Sequence, residues 1–66
     1  MRFMIDLARV LEGESRDLER IIAADEAILE IEHSQNKRLF LLDEIANTRD
    51  KVERLRNRIE GLRSVD

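Results

Sequence analysis

LFLLDEIANTRDKVERLRNRIEGLR, residues 39–63, carries the clean hydrophobic period of this chain. Ile45, Val52 and Ile59 recur every seven residues, and Leu41, Thr48, Leu55 and Leu62 fall between them at alternating steps of four and three. That spacing is a heptad seam. A helix with such a seam stays soluble only when another helix covers it, so the stretch implies a partner helix, either in the same chain or in another.

The remaining composition agrees with this. A 66-residue chain makes one small domain and buries little apolar surface, which points to oligomerisation or to binding a larger protein. There is no Cys and no Pro, Gly occurs only at Gly13 and Gly61, and 41% of residues are charged. A mixture rich in Leu, Ile, Ala, Glu and Arg is typical of coiled coils and helical bundles. Without Cys there is neither a disulfide framework nor a thiolate metal site.

The net charge of −3 is unlike that of a general polyanion binder. Its distribution is uneven. Residues 1–33 hold four Arg against nine acids, and residues 34–66 hold eight Lys or Arg against six acids. Folding back, or antiparallel pairing between chains, brings the acidic half beside the basic half.

Heptad positions sharpen the point. With Ile45, Val52 and Ile59 at position a, the flanking e positions are Arg49, Arg56 and Arg63, and Lys51 and Arg58 stand at g. A parallel homodimer sets Lys51 near Arg56 and Arg58 near Arg63, with repulsion of a few tenths of a kcal/mol for each pair. β-Branched residues at a with Leu at d favour that same parallel arrangement. The two signals oppose each other, and the acidic N-terminal half favours the antiparallel solution through charge complementarity.

Upstream, Phe3, Met4, Leu7, Ala8 and Leu11 lie at helical spacing, widened by Ile5 and Val10. The N-terminal segment is too short to span a bilayer, is interrupted by Asp6 and Glu12, and is followed by no small-residue cleavage site. Its mixed polar face differs from the Lys- and Arg-rich face of membrane-surface helices. Gly13 is expected to stop this first helix. Ser15 then serves as an N-cap for a second, with Asp17 and Glu19 suited to its positive end.

From Ser15 onward the apolar residues are Leu18, Ile21, Ile22, Ile28 and Leu29, a stripe wide enough for more than one neighbour. Asp25 falls inside that stripe and is expected at a solvated or Arg-paired edge, because a buried unpaired carboxylate is strongly destabilising. Residues 32–38, EHSQNKR, contain no apolar side chain and are the best site for a turn. Against a break stand the missing Gly and Pro and the charges, since Glu30 and Glu32 would end one helix and Lys37 and Arg38 would begin the next.

Reaction chemistry is sparse. One His, no Cys and no Tyr leave carboxylates as the main acid–base groups, with no phosphate-binding Gly loop and no nucleophile motif. Glu30-x-x-His33 places a carboxylate and an imidazole on one helix face, as in di-iron bundles. Glu30 projects away from the stripe, however, and reads better as a solvated charge, so no metal or cofactor is expected. The basic run Arg49–Arg63 is interleaved with Asp50, Glu53 and Glu60 and has no aromatic residue to stack a base, so a salt-bridged face is preferred to a nucleic-acid surface.

The expected architecture is all-α: a helix over residues 2–12, a joint near Gly13, a helix over 15–32, a polar turn over 33–37 and a helix over 38–63. Together they form an antiparallel helical hairpin that assembles into a multi-helix bundle or coiled coil. The alternative is an extended parallel coiled coil of about 90 Å. Three apolar sets are the candidate contacts: Leu41, Ile45, Val52, Leu55, Ile59 and Leu62 on the C-terminal helix; Leu18, Ile21, Ile22, Ile28 and Leu29 on the middle one; and Phe3, Met4, Leu7 and Leu11 at the start. The expected function is a non-enzymatic, soluble, intracellular interaction or oligomerisation module. Its partner is a second copy or another helical protein, as scaffold or adaptor. The alternatives are a small nucleic-acid-binding helical dimer and a chaperone shielding a partner's amphipathic helix.

Overall fold

A computed structural model describes residues 2–64, with side chains from Phe3 onward. Two helices account for nearly all of it: α1, Arg2–Ile31, and α2, Gln35–Ser64. They pack against each other as an all-α antiparallel hairpin, with principal extents of 50 × 14 × 11 Å.

Each helix buries one seam. On α1, Ala8, Leu11, Ser15, Ile22 and Asp25 are buried, with Met4, Leu18 and Leu29 half-buried between and beyond them. On α2 the buried residues are Leu41, Ile45, Thr48, Val52 and Ile59. Both series follow the alternating four-and-three spacing that a two-stranded coiled-coil interface requires. The apolar contacts form two clusters: Ala8, Leu11 and Ile59 toward the open end, and Ile22, Ile45 and Val52 toward the turn. Ser15, Asp25 and Thr48 interrupt the seam, and among the described residues no large side chain is fully buried. The core is therefore thin.

The expected joint at Gly13 is corrected: α1 runs through it as one helix. Leu11 and Ser15 are both buried in phase on the same seam, and keeping that phase outweighs the roughly 1 kcal/mol that a helical Gly costs relative to Ala. Gly13 has no positive φ, as a helix stop there would call for. Ser15 is a seam residue in mid-helix and caps nothing.

The turn falls where the polar window lies, but it is shorter than the expected residues 33–37, since α2 already begins at Gln35. Its punctuation is a side-chain cap in place of Gly or Pro. The Lys37 amide donates to Ser34 Oγ at 3.5 Å and the Arg38 amide to the Ser34 carbonyl at 2.9 Å, so Ser34 is the N-cap of α2. Arg38 answers the charge objection by reaching back across the turn. Its Nη1 donates to the Leu29 carbonyl at 2.7 Å and to the Glu32 carbonyl at 3.3 Å. A cation that looks misplaced at the start of α2 thus satisfies orphan carbonyls at the negative end of α1. Lys37 adds an ion pair to Glu32 at 3.7 Å.

Candidate interaction face

The hairpin has two long sides, and they differ. Along one, three ion pairs cross between the helices: Glu12 with Arg63, Glu19 with Arg56, and Glu26 with Arg49 at 2.7 Å. Each step of seven along α1 is matched by seven in the opposite direction along α2, so the ladder follows the antiparallel register. These are the e-position arginines that the sequence places beside the acidic half. The pairs are well exposed, and each adds little stability, typically ~0.2–1 kcal/mol; their sign selects orientation. Ile5, Leu39 and Leu42 are apolar exceptions on this charged side.

The opposite side is apolar along α1. Phe3, Val10, Ile21, Ile28 and Ile31 are exposed there, Phe3 by 75% and Ile31 by 73%. With half-buried Leu7 and with Ala24, they repeat the alternating four-and-three spacing, one residue out of step with the buried seam. Helix α1 thus carries two heptad stripes, and α2 covers only one of them. The second is interrupted near its middle by exposed Glu14 and Asp17. On the α2 half of this side, Phe40 is 67% exposed and lines an open groove with Ile28, Glu32 and Lys37. Further along α2 come Lys51, Arg54 and Arg58, which line a groove together with Glu14.

The structure sorts the expected contact residues accordingly. Leu41, Ile45, Val52 and Ile59 are buried, with Leu55 and Leu62 half-buried beside them, as the C-terminal seam predicts. The middle set divides: Ile22 is buried and Leu18 and Leu29 pack against it, while Ile21 and Ile28 face solvent on the second stripe. The N-terminal set divides too, with Leu11 buried, Met4 and Leu7 half-buried and Phe3 exposed. Ala8, which the sequence puts on the N-terminal stripe, Ser15, expected as a cap, and Asp25, expected at a solvated edge, also belong to the buried seam, in step with its heptad spacing.

Asp25 departs furthest from expectation. It is not at a solvated edge: it is 8% exposed, and its Oδ2 has no hydrogen-bond partner among the described residues. An acid on α2 interacts with it. Glu44, on α2, has its pKa raised from 4.5 chiefly by the Asp25 charge, then by desolvation and by a side-chain hydrogen bond with Asp25.

Glu30 and His33 are both exposed. The described residues contain no group of three or more His, Cys, Asp or Glu placed to hold a metal ion. No described helix is long and apolar enough to cross a membrane. The class that fold and face define is an all-α antiparallel helical hairpin with one uncovered apolar stripe. No protein-family model, curated protein or solved structure matches the chain.

Proposed function

We propose that this chain is a non-enzymatic helical interaction module whose business surface is the second heptad stripe of α1. The observation that carries the proposal is the run of exposed large apolar residues from Phe3 to Ile31 on the side opposite the ion-pair ladder. Monomeric soluble proteins rarely leave so many large apolar side chains aligned on one face in water, and such faces mark contact surfaces. Helix-in-groove recognition reads anchors at this spacing. The thin intramolecular core supports the same reading, because covering the stripe adds the apolar burial that the hairpin alone lacks.

The arginines of α2 weigh against a nucleic-acid surface. Arg49, Arg56 and Arg63 are each engaged by a glutamate of α1, and Arg54 by Asp50 at 2.8 Å. Neutralised cations contribute little to the counterion release that drives phosphate binding.

Capture on the immobilised hairpin tests the proposal. The wild-type chain retains a helical polypeptide, either itself or another protein, and an Ile28→Ser/Phe40→Ser variant of equal helicity loses it. Equal retention by both, or retention of nucleic acid alone, overturns the assignment.

A further inference from the structure

We infer that the occupant of the uncovered stripe is a second copy of this chain, packed so that both turns lie at the same end and α1 of each copy crosses onto α2 of the other. This inference rests on the interaction-module reading and names its partner.

The exposed area has room for a standard interface. A folded monomer of 7.8 kDa exposes about 4,400 Å² on the general scaling of surface with mass. This hairpin exposes 5224 Å². The surplus comes with the elongated shape, 50 × 14 × 11 Å, and leaves ample area for the roughly 800 Å² per partner that a standard stable interface takes.

Charge then selects the copy and its orientation. On the uncovered side, Glu14 of α1 shares a groove with Lys51, Arg54 and Arg58 of α2, while Ile28 shares one with Phe40 toward the turn end. A two-fold axis parallel to the helices preserves height and lays α1 over the partner's α2. Glu14 then meets Lys51 and Arg58, and Ile28 meets Phe40, in both halves of the interface at once. The other face-to-face dimer, with its axis across the helices, lays α1 on α1 and α2 on α2. Glu14 and Asp17, near the middle of α1, then oppose acids, and Lys51, near the middle of α2, opposes its own copy. Like charges placed opposite each other in an interface suppress that arrangement. The surface is therefore complementary to itself in one of the two symmetric arrangements, as an isologous contact must be.

The chain has no Cys, so a single label at exposed His33 through His33→Cys reports on the turn without background. Sedimentation equilibrium of the full chain should give a dimer, and spin labels at position 33 of the two copies should lie roughly 20 Å apart, about two helix diameters. A dimer with labels separated by nearly the 50 Å length of the hairpin overturns the arrangement. The Ile28→Ser/Phe40→Ser variant should keep its helicity, since both residues are exposed in the hairpin, and its dimer dissociation constant should weaken on the order of a hundredfold. A chain that stays monomeric yet still captures another helical protein through Ile28 and Phe40 overturns the second-copy inference and leaves the interaction-module reading standing. A chain that binds neither itself nor any other protein overturns both.

Discussion

Asp25 and Glu44 form an acid–acid contact across the hairpin interface, with Asp25 Oδ2 unpartnered among the described residues and Glu44 held above its ordinary pKa by the Asp25 charge. Because folded Glu44 binds its proton more tightly than the unfolded chain does, this group contributes stability that is full below about pH 4.5 and is lost as pH rises through the raised value. Urea melts across that window should show the contribution. An Asp25→Leu variant removes a buried carboxylate with one oxygen unpartnered among the described residues and should be more stable at neutral pH by about 1–3 kcal/mol, with its advantage over the wild type growing as pH rises. An Asp25→Leu chain less stable than the wild type at pH 7 would contradict the burial argument.

Arg38 holds the turn through the Leu29 and Glu32 carbonyls. Arg38→Met keeps the aliphatic stem but leaves those part-buried acceptors without their donor, and should cost about 1–2 kcal/mol. Ser34→Ala, which removes the cap of α2, should cost ~1 kcal/mol. Denaturant midpoints measure both, and an unchanged midpoint for Arg38→Met means that water replaces the guanidinium at no cost.

Gly13 lies within a continuous helix, and a Cβ built there meets nothing within 4 Å. Gly13→Ala should therefore stabilise the hairpin by about 1 kcal/mol, visible as a rise of roughly 4–8 °C in thermal midpoint for a domain of this size. A lowered midpoint would restore the joint expected from sequence.

Ile22 and Ile21 are neighbours with opposite fates. Ile22→Ala empties a buried seam position and should destabilise the hairpin by about 2–4 kcal/mol. Ile59→Ala, at the other cluster, should behave alike. Ile21→Ala should leave the hairpin nearly as stable at low protein concentration and weaken self-association instead. Circular dichroism melts over a concentration series separate the two effects.

The ion-pair ladder fixes direction. Arg56→Glu/Arg63→Glu sets acids against Glu19 and Glu12 and should lower the midpoint, and adding Glu12→Arg/Glu19→Arg should restore it. Both shifts should shrink in 1 M salt, where the screening length falls to about 3 Å. A raised midpoint for the first double variant is the signature of parallel pairing and excludes the ladder as the orienting contact.

The seam of α2 was legible from Leu41 to Leu62 because one heptad period runs through it with no competitor, and local spacing alone decides which face of such a helix is covered. The antiparallel orientation was legible from charge, since the acidic stretch from Glu12 to Glu32 complements Arg49, Arg56 and Arg63; which glutamate meets which arginine came from the structure. Tertiary structure decided the rest. Helix α1 carries two heptad stripes displaced by one residue, and no local property distinguishes the one containing Ile22 from the one containing Ile21; the choice belongs to the register that Ser34 and Arg38 impose at the turn. The same register buries Asp25, which spacing put on a seam and charge would have put in water, and it draws the helix through Gly13, where packing on both sides outweighs the backbone's local preference to stop.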